Sequence, residues 1–194
     1  WMLVAQAKEA AEYFGGSPLP DSIIEIVYNK MSAKMKNIIL VGMPGSGKST
    51  IAALLAEQLG RSIVDADQKV IELAGKSIPD IFAEDGEAIF RQWETQALSD
   101  LGKKSQLIIA TGGGCVTQQR NYPLLHQNGM IFWLQRELDL LPTDGRPLSQ
   151  IQKLSDMYAM RKPMYEAFSD YQIDNNGTCQ ESIHQILSIL EGNK

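Results

Sequence analysis

The run Gly42-Met43-Pro44-Gly45-Ser46-Gly47-Lys48-Ser49-Thr50 follows directly on the apolar stretch Asn37-Ile38-Ile39-Leu40-Val41. Its spacing is G-x-x-x-x-G-K-[ST], and each fixed position has a physical task. Glycines let the backbone turn successive N–H groups inward to form a nest for phosphate oxygens. Lys48 can reach the outer phosphates of a nucleoside triphosphate as a mobile point charge, and the Ser49 hydroxyl suits Mg²⁺. Residues 48–59 read as a helix closed by Gly60, so the phosphates would meet a helix N-terminus, where unpaired N–H groups and the helix dipole both favour anions. A strand before and a helix after the glycine loop tie it to a parallel α/β architecture.

The rest of the chain repeats that alternation. Short apolar, β-branched runs occur at Asn37–Val41, Ser62–Val64, Leu107–Ala110, Met130–Leu134 and Tyr171–Ile173, with helix-like stretches between them. Five such strands predict a three-layer α/β fold, with a five-stranded parallel sheet and helices on both faces. Ligands of such sheets bind beyond the carboxyl ends of the strands. Ser77-Ile78-Pro79-Asp80 has the pattern of a helix start with Ser77 as N-cap, and a short helix is expected through Phe82. Asp85-Gly86 should break it before a longer helix over Glu87–Leu98, giving a helical insertion suited to gripping a substrate.

Composition narrows the classes. A length of 194 residues with 44% hydrophobic content suits one well-buried domain with an appendage, and a net charge of -5 offers no basic stripe for nucleic acid. No apolar run approaches the ~20 residues that span a bilayer, and no signal pattern begins the chain, so a cytoplasmic protein is expected. Cys115 and Cys179 stand alone without C-x-x-C spacing, which predicts reduced thiols rather than a disulfide or zinc site.

Further candidates fall at the strand ends. Asp65 and Asp67 follow the second strand, and a period of two would turn both carboxylates to one side, one toward a metal shell and the other toward an attacking hydroxyl. Arg91 lies four residues after Glu87 and three before Glu94, which reads equally as a surface ion-pair ladder or as a guanidinium held ready for a ligand carboxylate. Arg146 sits in Thr143-Asp144-Gly145-Arg146-Pro147, and Arg161 precedes Lys162-Pro163-Met164-Tyr165. Thr111-Gly112-Gly113-Gly114 would let a substrate lie directly against backbone.

Taken together, G-M-P-G-S-G-K-S-T, D-A-D at 65–67, S-I-P-D-I-F-A-E-D-G-E-A-I-F-R at 77–91, T-G-G-G-C-V at 111–116, G-R-P-L at 145–148 and R-K-P-M-Y at 161–165 closely resemble the shikimate kinase family. The resemblance implies the P-loop kinase fold with a short lid. It implies transfer of the ATP γ-phosphoryl to the 3-hydroxyl of shikimate, with ATP as co-substrate and Mg²⁺ as cofactor. By position, Gly45, Ser46, Gly47, Lys48, Ser49 and Thr50 would bind the ATP phosphates, Ser49 would ligate Mg²⁺ and Asp65 would support the metal through water. Lys48, Asp67 and Arg146 would be catalytic, with Asp67 the candidate base on the shikimate hydroxyls and Arg146 swinging to the phosphates on the lid. Arg91 and Arg161 would clamp the shikimate carboxylate, with Gly113 and Gly114 against the substrate and Gly113 donating its N–H.

Two segments depart from the family pattern. Only 11 residues separate Leu134 from Arg146, and the arginine expected before the lid has no counterpart in Leu138-Asp139-Leu140-Leu141. Asn175-Asn176-Gly177-Thr178 lacks the basic residue that many relatives carry beside the adenine. A different small-molecule kinase, such as one for gluconate, and a non-catalytic ATP-binding module remain alternative readings.

Residues 1–33 read as a helical segment and linker ahead of a kinase-like domain at 34–194. Apolar residues from Met2 to Phe14 have helical spacing, and Gly15-Gly16-Ser17-Pro18 ends the pattern. M-L-V-A-Q-A with A-A-E-Y-F resembles the C-terminal helix of shikimate dehydrogenase. That implies a fused dehydrogenase-kinase or a fragment of one, with no dehydrogenase activity from this chain and a monomer as the isolated kinase.

Overall fold

The structure, a computed structural model, describes residues 1–141 and 148–192. At its centre, β1 (Asn37–Val41) is buried along its whole length. Ile38 and Leu40 point to one face while Ile39 and Val41 point to the other, and each set seeds its own core cluster. A strand apolar on both faces can only sit inside a sheet covered twice, and the five strands form a wholly parallel sheet in the order β2-β3-β1-β4-β5. These are β2 (Ile63–Asp65), β3 (Ile108–Ala110), β4 (Gly129–Gln135) and β5 (Tyr171–Asp174), each within one or two residues of its expected bounds. Register runs straight through the middle, with Ile39 opposite Ile109 on one side and Ile131 on the other.

On the even face, Ile38, Leu40, Phe132 and Ile173 pack against Ile51 and Leu55 of α3 (Lys48–Leu59) and Ile183 and Ile186 of α9 (Cys179–Leu190). On the odd face, Ile39, Ile109, Ile131 and Trp133 meet Leu98 and Leu101 of α6 (Gly86–Gly102), Leu125 of α7 (Asn121–His126) and Tyr165 and Phe168 of α8 (Leu148–Phe168). Trp133 and Tyr165 stack with centroids 5.6 Å apart. Burying side chains of this size contributes about 1.5–3 kcal/mol each relative to exposure, so both faces are held by packing rather than by helix propensity.

The expected insertion lies between β2 and β3. It comprises α4 (Ala66–Ala74), the single turn α5 (Ile78–Asp80) and α6, and it has a small core of Val70, Ile81, Phe90 and Ala97. Ser77 caps α5 by accepting the Asp80 N–H, as its spacing predicts. The short helix does not run regularly through Phe82: residues Ile81–Asp85 form a wide π turn, and α6 then starts at Gly86. That extra turn swings Phe82 to within 4.7 Å of Phe90, a tertiary contact that local propensity does not encode.

Ahead of the sheet, α1 (Met2–Gly15) and α2 (Ser22–Met35) form a hairpin, so the second helix adds to the single one expected. Neither contains a buried residue. Val4, Ala7 and Ala11 of α1 and Ile23 and Val27 of α2 line one apolar groove between the two helices. The hairpin's end is tied down where Arg61 donates to the carbonyls of Lys36 (2.8 Å) and Lys34 (2.7 Å) and the Gln106 N–H donates to Met35 (3.0 Å). Among the described residues no helix is long and apolar enough to cross a membrane.

Candidate active site

Three strand ends converge on one cleft. Val41 of β1 runs into the glycine loop, Ala110 of β3 into Thr111-Gly112-Gly113-Gly114, and Asp65 closes β2. The parallel register of β2, β3 and β1 sets these ends side by side.

At the phosphate loop, Gly47 has φ 86° and stands as the N-cap of α3, a conformation that L side chains adopt at a cost. The first N–H groups of α3 consequently face outward without helical partners, while Gly45, Ser49 and Thr50 are exposed to a ligand. Lys48 is 9% exposed, and its Nζ donates to the carbonyls of Gly42 and Met43, both at 2.9 Å. Burial lowers its pKa, against the raising effect of the negative charges of Asp67 and Asp65. The side chain is thus folded back along its own loop, an ammonium that gains from any anion entering the nest.

The two aspartates do not share a strand face. Asp65 ends β2 and caps α4, its Oδ1 accepting the N–H of Asp67 at 2.9 Å and of Gln68 at 3.3 Å. Asp67 is already helical. The turn from strand to helix, not a period of two, brings the carboxylates together. Burial pushes the Asp67 carboxyl up from its usual range and the charge of Asp65 adds to this, opposed by Lys48 and Arg91. Asp67 is thus acted on by both the phosphate-loop lysine and Arg91.

Arg91 projects from α6 with its ladder intact: Nε and Nη2 donate to Glu87 at 3.2 and 2.9 Å, and Nη1 donates to Glu94 at 2.9 Å. The ion-pair ladder is therefore present, and it is not a surface one: Glu94 is 1% exposed and fixes the guanidinium. Burial raises the Glu94 carboxyl while Arg91 lowers it, and the charges of Asp67 and Arg161 act on it as well. The Arg91 guanidinium carbon lies 5.1 Å from the centre of the Phe90 ring.

The glycine run serves neighbouring side chains as much as any ligand. A β-carbon on Gly112 would lie 2.6 Å from Asp67 Oδ1, and one on Gly114 would lie 2.5 Å from both Nη atoms of Arg91. Glycine lets Asp67 and Arg91 approach this backbone so closely. The Gly113 carbonyl accepts hydrogen bonds from Tyr165 Oη (2.6 Å) and Arg161 Nη1 (3.2 Å). Those residues stand one helical turn apart on α8, so their sequence spacing of four encodes the shared target. Arg161 Nε is buried without a hydrogen-bond partner among the described residues, leaving the guanidinium partly unsatisfied and available to an acceptor. Behind the run, Asn121 donates to the Cys115 carbonyl (2.9 Å) and accepts from Thr95 (2.9 Å). The Cys115 thiol is fully buried and pushed up to about 12, chiefly by burial, so it stays protonated and packs as a small apolar group.

Arg146 and the Thr143–Pro147 loop lie outside the described residues. Glu94, Tyr165 and the Phe82/Phe90 pair were not singled out as site residues from sequence. Glu94 and Tyr165 could have been found by helical spacing from the arginines they support, whereas Phe82 depends on the wide turn.

A shikimate kinase family model matches residues 44–191. The chain is 38% identical to shikimate kinase of Acinetobacter baumannii (strain AYE), with 86% of this chain and 98% of the relative covered. It is 44% identical to shikimate kinase of Parasynechococcus marenigrum, over 80% of this chain and 86% of the relative. Among solved structures it is similar to shikimate kinase from Acinetobacter baumannii in complex with shikimate, with TM-score 0.76 and 37% identity over 86% of this chain and 98% of that one. A gluconokinase from Sinorhizobium meliloti shares the fold, with TM-score 0.57 at 14% identity. The matched stretch runs from the phosphate loop to the last helix and includes Asp67, Arg91, Gly113 and Arg161; the chain belongs to the shikimate kinase family.

Proposed function

We infer that the chain transfers the γ-phosphoryl group of ATP to the 3-hydroxyl of shikimate, giving shikimate 3-phosphate and ADP. One observation carries the reading of the site: a half-buried carboxylate, Asp67, lies against Gly112 while Arg91 lies against Gly114 of the same glycine run, with the phosphate-loop lysine acting on the same carboxylate. An acceptor with a carboxylate at one end and hydroxyls at the other matches that polarity. Its carboxylate is taken by Arg91 and Arg161, whose charge-assisted bonds are worth about 1.5–3 kcal/mol each. A hydroxyl then meets Asp67.

As the acceptor oxygen bonds to the γ-phosphorus, its proton passes to Asp67, and the bond to the β,γ-bridging oxygen breaks with its electron pair leaving on ADP. Lys48 exchanges its carbonyl partners in the loop for phosphate oxygens, and the N–H groups of residues 45–50 neutralise charge on the transferring group. Arg146 completes the charge on the phosphates. Positioning and charge dominate because phosphoryl transfer asks little covalent chemistry of the protein.

The donor set suits Mg²⁺. Asp65 Oδ1 is occupied by helix N–H groups while the second oxygen remains, Ser49 is exposed at the start of α3, and the Asp65–Asp67 repulsion would be relieved by a cation. Mg²⁺ in such sites is held by one or two protein oxygens with waters and substrate phosphates completing its shell. When bound, Mg²⁺ supplies charge neutralisation at the phosphates, held by Ser49 and through water by Asp65.

Residues 1–33 take no part in transfer on this reading and are a dehydrogenase-like appendage to the 34–194 unit. They should show no shikimate-dependent reduction of NADP. ADP release measured in parallel with shikimate, gluconate and AMP tests the acceptor directly. Stimulation by shikimate is expected, and stimulation by gluconate or AMP without it would overturn the assignment.

A further inference from the structure

Asn175, the residue after β5, is a polar side chain only 1% exposed. Its main-chain N–H donates to Gln135 at 2.9 Å, and its carbonyl accepts from Arg136 Nη1 at 3.0 Å. Its amide Nδ2 donates to the Ser46 carbonyl at 2.6 Å, and its Oδ1 accepts from Ser182 Oγ of α9 at 2.8 Å. A carbonyl can only accept, so the amide nitrogen must be the atom facing Ser46. The loop after β5 therefore reaches across more than a hundred residues of sequence to grip the middle of the phosphate loop.

That grip has a stereochemical consequence. The Ser46 carbonyl and the Gly47 N–H belong to one planar trans peptide and point in opposite directions. Fixing the oxygen on Asn175 turns the N–H to the other side, and it removes from the anion nest a carbonyl dipole that would repel phosphate. The amide also touches the turn it holds: a β-carbon on Gly47, the N-cap of α3, would lie in ordinary contact with Asn175 Nδ2 at 3.9 Å.

We propose that Asn175 is a positioning residue for the nucleotide phosphates: it locks the Ser46–Gly47 peptide with its N–H facing the phosphates, and Ser182 holds the Asn175 amide in its donating orientation. The inference rests on reading residues 42–50 as the ATP site. Asn175→Asp keeps the side-chain shape but sets an oxygen against the Ser46 carbonyl, and Ser182→Ala removes the hydroxyl that orients the amide.

The test measures ADP dissociation constants by calorimetry, shikimate dissociation constants without nucleotide, the KM for each substrate, and thermal unfolding. Asn175→Asp should weaken ADP by about tenfold or more and raise the KM for ATP in parallel, the size expected for one lost buried hydrogen bond. Shikimate affinity should stay within about twofold, and Ser182→Ala should weaken ADP by about threefold. A folded Asn175→Asp protein with wild-type ADP affinity overturns the proposal, as does an equal loss of ADP and shikimate binding, which marks general damage. If Asn175→Asp does not fold, Ser182→Ala decides by the same criteria. Wild-type protein that fails to bind ADP would instead sink the ATP-site reading beneath it.

Discussion

The nucleotide side and the acceptor side of the cleft are built in opposite ways. The phosphate loop takes its ligand groups from nine consecutive residues, mostly as backbone N–H, and a strand and a helix in direct succession fix its shape. The acceptor side gathers Asp67, Arg91 with Glu94, the glycine run at 112–114, and Arg161 with Tyr165 from four separate segments. A loop of the first kind is portable between proteins with different acceptors. A constellation of the second kind exists only when the whole fold is in place, and the choice of acceptor resides there.

Substitutions on the two sides should accordingly separate in their kinetics. Lys48→Met removes the mobile charge at the phosphates and should lower kcat about 10³-fold, the scale of losing a main electrostatic stabiliser in a dry site. Steady-state turnover with saturating shikimate checks this, and activity near wild type would show that the loop needs only its backbone. Asp67→Asn should lower kcat by roughly 10²- to 10³-fold while ADP affinity changes little, as expected for loss of a positioned base.

The pH profile sharpens the same point. Asp67 must be ionised to accept a proton, and burial with the neighbouring Asp65 raises its carboxyl above the usual range. Activity should therefore fall on the acid side at a higher pH than an ordinary aspartate gives. Asp65→Asn, which can still cap α4, should move that limb to lower pH by removing the like charge. A limb that does not move would detach it from Asp67.

Smaller effects belong to the clamp. Arg161→Lys keeps the charge but loses the fork, and it should raise the shikimate KM about tenfold with the ATP KM nearly unchanged. Equal shifts in both constants would break the division into two sides. Smallest of all is removal of residues 1–33, which should leave kcat and both KM values within about twofold, since the hairpin buries no residue in the core. The cut keeps all three tethers, because Lys34, Met35 and Lys36 lie beyond it.

What could be read from the chain follows the same contrast. The five strands, α3 with its Gly60 stop and the Ser77 cap are set by near neighbours, and each stands within a residue or two of its expected place. Asp65 and Asp67 do lie near each other, but not by the period of two that the sequence suggests: β2 is only three residues long, and the helix begins between them. The glycine run was legible as a close-approach site, but not that Asp67 and Arg91 make that approach. Asn175 carried no local signal at all, because its partner Ser46 is brought to it only by the pairing of β5 beside β4 and β4 beside β1. The second N-terminal helix has no buried residue to mark a core-facing stripe, and its sequence gives correspondingly little signal.

The central claim is that both sides of the cleft act on one phosphoryl group. Following the label from ATP marked at the γ-phosphorus, in the presence of Mg²⁺ and shikimate, tests it most directly. The account predicts that the label appears in shikimate 3-phosphate in step with ADP formation. Label recovered only as inorganic phosphate, at a rate indifferent to shikimate, would contradict it.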